Sequence, residues 1–158
     1  MEKATSVGEL VRAATADATN ECGSDRFVIG VDLVEVADVA ASIRVHGERY
    51  LDRVFTSAEV ATCTDDSGGY VVDRLAARFA AKEAAIKALR HDGGVQYRDV
   101  ETVLDHTGAP HLVLHGSVSA HAGRAGVSSQ SISLSHSGGY AVAVVLLQMA
   151  TDAKGSDL

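Results

Sequence analysis

An acidic and a basic side chain, Glu83 and Lys87, stand four residues apart in the alanine-rich segment 74–90, RLAARFAAKEAAIKALR. Four residues are about one helical turn, so both side chains lie on one face of a predicted helix. A carboxylate can hold a divalent cation and an ammonium can neutralise phosphate oxygens, so the pair suits phosphate chemistry. Ala76 and Ala80 lie beside them, and we expect their small side chains to leave room for a ligand. The alternative is an ordinary amphipathic helix, which such a pair stabilises by about 0.2–0.5 kcal/mol.

A second carboxylate, Asp32, interrupts the segment 27–34, FVIGVDLV, whose β-branched and aromatic residues predict a strand. Aspartate is depleted in strands, and a buried carboxylate is costly unless it is paired or bound to a cation. A metal ion at Asp32 would resolve this conflict. The alternative is that Asp32 lies at the end of the strand and caps the following helix.

A histidine and a serine, His136 and Ser137, precede a Gly138-Gly139 pair that is followed by the apolar run 141–147. Two glycines permit the positive φ angles of a tight hairpin turn, which would present His136 and Ser137 at its tip. An imidazole and a hydroxyl there could hold a phosphate. The alternative for a lone loop histidine is simple solvation.

Taken together, these segments resemble the holo-acyl-carrier-protein synthase family of 4′-phosphopantetheinyl transferases. The similarity covers most of residues 27–147, and its pieces follow the order and spacing of the family. The pieces are GVDLVEV (30–36), GERYLDRVFTSAE (47–59), LAARFAAKEAAIKAL (75–89), RDVE (98–101), GAP (108–110) and SLSHSGGYAVAVV (133–145).

The resemblance implies transfer of 4′-phosphopantetheine from coenzyme A to a serine of an acyl carrier protein of fatty-acid or polyketide synthesis, leaving adenosine 3′,5′-bisphosphate. Phosphoryl transfer depends mainly on positioning and on neutralising charge at the phosphate oxygens. Asp32 and Glu83 match the family's metal carboxylates, and such oxygen ligands favour Mg²⁺ and tolerate Mn²⁺. Lys87 matches the lysine that meets the pyrophosphate and stabilises or protonates the departing bisphosphate.

The resemblance also implies a general base and a nucleotide site. Glu83 matches the candidate base, which would take the proton of the carrier serine either directly or through a metal-bound water. Three residues match positions that contact the nucleotide phosphates: Arg78, His136 and Ser137. Three others are expected on the adenine side of coenzyme A: Gly93, Gly94 and Pro110.

One residue, Asp38, departs from the family's pattern, because the family typically has a basic residue six positions after the metal aspartate. In the family this helix meets an acidic helix of the carrier, and like charges would lower the association rate and the affinity. Either the carrier is atypical or other cations compensate, among them Arg49 and Arg53 at the family's own arginine positions. The alternative is that Asp38 points to solvent.

The surrounding pattern predicts an α+β fold in which a mainly antiparallel sheet packs with one long central helix. Residues 26–150 would form a single small domain, with an extension at 1–25 that is partly helical or disordered and a tail at 151–158. The expected elements are strand 27–34, helices 35–45, 47–54, 57–64 and 71–90, strands 98–104 and 111–115, helix 116–125 and hairpin 130–148.

The oligomeric state is implied only by the resemblance to the family. Bacterial members of the family are commonly trimers with the cofactor bound between subunits. The resemblance therefore implies a homotrimer. The apolar run 140–147 would suit a sheet that is buried on both faces.

Composition, charge and cysteine count argue against several classes of protein. The chain has 158 residues, 46% of them hydrophobic, and a formal net charge of −7, which argues against non-specific nucleic-acid binding. Cys22 and Cys63 are too few for a disulfide framework and lack a metal-binding spacing, which favours a reducing compartment. Neither a signal-peptide core nor an apolar run of membrane-spanning length occurs, so we expect a soluble, cytoplasmic protein with no membrane association.

Two other classes of function are alternatives to transfer. The first is a noncatalytic module of the same fold that binds coenzyme A or a carrier protein, but such a scaffold has no need of Asp32, Glu83 and Lys87 together. The second is a hydrolase that releases phosphopantetheine to water, and the sequence offers no water-activating group for it beyond the metal pair.

Overall fold

The computed structural model describes residues 26–91 and 94–150, and these form an α+β fold with antiparallel sheets, as predicted. Each predicted element within this range is present, with ends shifted by no more than three residues. The strands are β1 (Arg26–Glu35), β2 (Val100–Leu104), β3 (Pro110–Leu114), β4 (Val127–Ser137) and β5 (Tyr140–Met149). The helices are α1 (Val36–His46), α2 (Glu48–Val54), α3 (Ser57–Thr62), α4 (Val72–Leu89) and α5 (Gly116–Arg124), with a 3₁₀ turn at Tyr97–Asp99. The predicted extension and tail lie outside the described residues.

The main sheet has three antiparallel strands in the order β1-β5-β4, and β2 pairs with β3 in a separate two-stranded sheet. Gly138 and Gly139 have φ angles of 61° and 83°, so the tight turn between β4 and β5 forms as their types predict. This hairpin places the last residues of β4 beside the first residues of β5.

The 18-residue helix α4 packs across the main sheet through its alanines. Ala76 and Ala80, expected to leave room for a ligand, are fully buried in this core, so that expectation is wrong. Their small side chains instead let the helix approach the sheet. At Gly30 of β1 the approach is so close that any side chain would overlap the Ala84 carbonyl oxygen and the Ala88 side chain, and glycine is therefore required there.

Alternate residues of β1 lie on opposite faces of the sheet. Gly30 and Asp32 face α4, so the residues that alternate with them along β1 face away from it. That opposite face carries five large apolar side chains, each between 39% and 63% exposed, and is called the outer sheet face: Phe27, Ile29, Val31, Leu33 and Val144. Within the described residues these side chains remain partly exposed to solvent.

A buried ion pair, which the sequence did not predict, lies between α3 and α4. The Glu59 and Lys82 side chains are both 0% exposed, and Lys82 Nζ donates to Glu59 Oε2 at 2.8 Å. Nζ also donates to the carbonyl oxygens of Tyr97 (3.1 Å) and Val100. Glu59 Oε1 accepts a hydrogen bond from the Thr102 backbone N–H. All three N–H donors of the ammonium have acceptors, so the buried charge is satisfied.

None of the helices within residues 26–91 and 94–150 combines the length and the apolar character that a membrane-spanning helix requires.

Candidate functional site

Asp32 and Glu83 line the same open cleft of about 470 Å³, called cleft A, between the end of β1, α1 and α4. Asp38, Tyr50 and Phe79 also line it. β1 continues through Asp32 to Glu35, and Glu35 is the residue at the start of α1. The alternative that Asp32 caps this helix is therefore wrong, and its carboxylate is available to the cleft.

Lys87 is not itself a lining residue of cleft A, but it pairs with Asp32, which is. Its Nζ donates to Asp32 Oδ1 at 2.5 Å, with 55% of the Lys87 side chain and 13% of the Asp32 side chain exposed. This hydrogen bond raises the pKa of Lys87, as do the negative charges of Asp32 and Glu83. The lysine is therefore cationic at neutral pH, and the Asp32 carboxylate already faces a cation.

Glu83 is held by Tyr97, a residue that the sequence analysis missed. The Tyr97 hydroxyl donates to Glu83 Oε1 at 2.6 Å, and its ring packs against Phe79 with centroids 5.6 Å apart. The hydrogen bond to Glu83, together with burial, raises the pKa of Tyr97 to about 12, so the phenol remains a donor at neutral pH. Its only sequence signal was an aromatic residue directly before the RDVE segment.

A second cleft of about 270 Å³, called cleft B, brings together Arg78, Pro110 and His136, as expected for a nucleotide site. Arg78 is only 4% exposed, and its Nη2 donates to Thr62 Oγ1 at 3.0 Å. Its Nε is buried without a hydrogen-bond partner. A buried guanidinium with an unused donor, next to a histidine, is an arrangement that suits an anion. Clefts A and B share no lining residue.

Two described residues predicted for the nucleotide site lie in neither cleft, and a third predicted residue is not described. Ser137 is the exposed last residue of β4, and Gly94 is exposed with a φ of 44°. Neither lines cleft A or cleft B. Gly93 lies outside the described residues.

The three residues predicted to meet a carrier protein are exposed, and one of them lines cleft A. Asp38 is exposed in the first turn of α1 and lines the cleft. Arg49 and Arg53 are exposed on α2, and Arg53 lines a neighbouring groove together with Tyr97 and Arg98. These exposed residues therefore carry charges of both signs.

The donor set of cleft A fits a hard divalent cation that takes part of its coordination from a substrate. The described residues contain no group of three or more His, Cys, Asp or Glu side chains placed to hold a metal ion. Asp32 and Glu83 supply two carboxylates facing one cleft. Mg²⁺ is usually held by one or two carboxylates, with substrate phosphates and waters completing its octahedron.

Comparison with known proteins agrees with this geometry. The profile of the 4′-phosphopantetheinyl transferase superfamily matches residues 28–145. The holo-[acyl-carrier-protein] synthase of Koribacter versatilis is 43% identical over 121 residues, which are 75% of this chain and 95% of that protein. The holo-[acyl-carrier-protein] synthase of Anaeromyxobacter dehalogenans is 46% identical over 123 residues, or 76% and 94% of the two chains.

Two solved structures are similar over most of their length. The ACPS–CoA complex of Chronobacterium ammoniagenes superposes with a TM-score of 0.69 at 30% identity, over 80% of this chain and 99% of that one. The Helicobacter pylori holo-[acyl-carrier-protein] synthase in complex with coenzyme A gives a TM-score of 0.65 at 28% identity, over 75% and 98%.

Proposed function

Because the chain belongs to the holo-[acyl-carrier-protein] synthase family of enzymes, within the 4′-phosphopantetheinyl transferase superfamily, we propose that it transfers 4′-phosphopantetheine from coenzyme A to a serine of an acyl carrier protein. Adenosine 3′,5′-bisphosphate is the second product. The observation that carries the proposal is the meeting of Asp32, Glu83 and Lys87 in and beside one cleft. Both solved relatives described above are complexes with coenzyme A.

Each of these three residues has its own role in the proposed reaction. Asp32 and Glu83 would hold Mg²⁺, or Mn²⁺ in its place, and the bound ion supplies charge neutralisation at the pyrophosphate. Lys87, with more than half of its side chain exposed, places its ammonium where it can stabilise or protonate the departing bisphosphate. Glu83 is the candidate base for the serine proton, directly or through a water.

Cleft B supplies the nucleotide end of the substrate site. Arg78 has an unused N–H donor, and His136 stands beside it, so the phosphates of the nucleotide are the expected ligands. Pro110 would lie against the adenine side. The resemblance to the family implies a cofactor bound between subunits, in which case one coenzyme A would reach from cleft A of one protomer to cleft B of the next.

We expect the wild-type protein to be a homotrimer whose protomers cover one another's outer sheet faces. Light scattering should give about three times the chain mass of 16.4 kDa. Leu33→Glu places a charge in the most exposed part of that face and should give monomers without transferase activity. Val103→Glu makes the same kind of change at an exposed residue of β2 and should keep the wild-type mass. A monomeric wild-type protein would contradict the trimer.

The direct test of function uses intact-mass measurement of apo carrier proteins. The protein is incubated with coenzyme A, Mg²⁺ and a panel of carriers from fatty-acid and polyketide synthesis. We expect at least one carrier to gain the mass of one phosphopantetheine group. Coenzyme A binding with no mass gain on any carrier would instead support the noncatalytic module.

The carrier preference should depend on Asp38. Asp38→Arg restores the charge usual in the family, and with an acidic carrier we expect KM for the carrier to fall about fivefold at low salt, with kcat little changed. This corresponds to about 1 kcal/mol for an exposed charge contact, and high salt should weaken the gain. Asp66→Arg, with the same change of charge in the exposed loop before α4, is the matched control. An unchanged or higher KM in Asp38→Arg would mean that Asp38 faces away from the carrier.

A further inference from the structure

Tyr97 is held by α4 at two points. Its hydroxyl donates to Glu83 Oε1 at 2.6 Å, on the side of the helix that faces cleft A. Its carbonyl oxygen accepts a hydrogen bond from Lys82 Nζ at 3.1 Å, on the buried side of the same helix. Glu83 and Lys82 are neighbours in sequence, so one turn of α4 fixes both the side chain and the backbone of Tyr97.

The segment that carries Tyr97 is itself rigidly anchored. Lys82 Nζ also donates to the carbonyl oxygen of Val100, a residue that is fully buried. Glu59 orients the ammonium and accepts the Thr102 backbone N–H, which ties the start of β2 to the same ion pair. The Tyr97 ring then has little freedom, because it also packs against Phe79, one turn before Glu83 on α4.

A glutamate side chain has several rotatable bonds, and holding it in one arrangement costs conformational entropy. A charge-assisted hydrogen bond from the fixed Tyr97 phenol offsets this entropy cost before the substrate binds. Tyr97 therefore limits where the Glu83 carboxylate can point within cleft A.

We propose that Tyr97 is a positioning residue for Glu83 and that the buried Glu59–Lys82 pair holds Tyr97 in place for this task. The proposal rests on the phosphopantetheinyl transfer proposed above and adds to it a residue that acts through Glu83. Outer partners of metal ligands commonly change metal affinity or activity by about 10- to 100-fold when they are removed.

The test is Tyr97→Phe, which keeps the ring, its packing on Phe79 and the backbone contact with Lys82 but removes the hydroxyl. We expect kcat to fall about tenfold or more, while KM for coenzyme A stays within about twofold. Mn²⁺ binding in the presence of coenzyme A, measured by electron paramagnetic resonance, should weaken about tenfold. Tyr70→Phe removes the same hydroxyl from an exposed residue away from both clefts and should leave all three quantities unchanged.

A double-mutant cycle separates a direct action on Glu83 from general loosening. The unfolding temperature is measured for wild type, Tyr97→Phe, Glu83→Ala and the double variant, because alanine removes the acceptor of the Tyr97 hydroxyl. If Tyr97 acts through Glu83, its substitution should lower the unfolding temperature less in the Glu83→Ala background than in wild type.

The outcomes distinguish the two proposals. Wild-type kcat and Mn²⁺ affinity in Tyr97→Phe, or additive shifts in the cycle, would overturn the positioning role while leaving the transferase intact. An inactive wild-type protein would overturn the transferase, and the Mn²⁺ measurement and the cycle would still decide whether Tyr97 positions Glu83.

Discussion

Alanine at either Asp32 or Glu83 should abolish transfer of phosphopantetheine while leaving the fold intact. Each substitution removes one of the two carboxylates proposed to hold the metal ion in cleft A, and the described residues contain no group of three or more His, Cys, Asp or Glu side chains that could hold it instead. We expect the rate of carrier modification to fall by about a thousandfold or more, because the charge on the pyrophosphate is then left without its main counter-charge.

The fold should survive because both carboxylates make their contacts at the cleft surface. Asp32 pairs with the exposed Lys87, and Glu83 accepts from Tyr97, so each loss should cost at most about 2 kcal/mol of unfolding free energy. Removing Asp32 also removes the hydrogen bond that raises the pKa of Lys87, so that pKa should move back toward its usual value.

Rates come from intact-mass time courses with one carrier, and circular dichroism checks the fold. Asp66→Ala, in an exposed loop, is the control for loss of one carboxylate. Removal of the metal with a chelator should abolish the transferase activity of the wild-type protein. Added Mg²⁺ should restore that activity but should not rescue either alanine variant. Full activity in either variant would show that its carboxylate is not required, and the shared metal site would have to be abandoned.

The local parts of this site could be predicted from the sequence because local geometry determines them. Helical periodicity alone places Glu83 and Lys87 on one side of α4. Two adjacent glycines at 138 and 139 require a tight turn, and the turn puts His136 near the end of β4. An aspartate in an apolar strand indicates a special environment, and Asp32 does lie where α4 places a cation beside it.

The nonlocal parts could not be predicted, because periodicity does not say what packs against a helix. The same small side chains can border a ligand or a sheet, and at Ala76 and Ala80 the sheet was the partner. Tyr97 lies 14 residues beyond Glu83, across a glycine-rich connection, and no spacing rule links the two. The chain fold alone brings them together.

Lys82 illustrates the same limit most clearly. A lysine in a helix rich in alanine is usually solvated, and Lys82 stands directly beside the cleft-lining Glu83 in the sequence. One residue of rotation, about 100°, takes it from the cleft side to the core, where it is fully buried. Its partner Glu59 lies 23 residues earlier, at the end of the GERYLDRVFTSAE segment, and no spacing rule links the two residues.

Lys82→Met should destabilise the protein by about 3–5 kcal/mol, because it leaves the Glu59 carboxylate buried without its counter-charge. It also leaves the Tyr97 and Val100 carbonyl oxygens without their donor. Burial lowers the pKa of Lys82 and the Glu59 charge opposes that shift, so Lys82 depends on Glu59 for its ionised form. Methionine has a similar length and apolar character, so the loss reports the missing ammonium rather than a cavity.

The measurement is urea unfolding followed by circular dichroism at one fixed protein concentration, since assembly would make stability depend on concentration. Lys87→Met is the matched control, because it makes the same change on the same helix at a side chain that is 55% exposed. It should alter the unfolding free energy by no more than about 1 kcal/mol. If Lys82→Met were as mild as its control, the buried pair would contribute little to stability, and the anchoring of the Tyr97 segment would have to come from its packing alone.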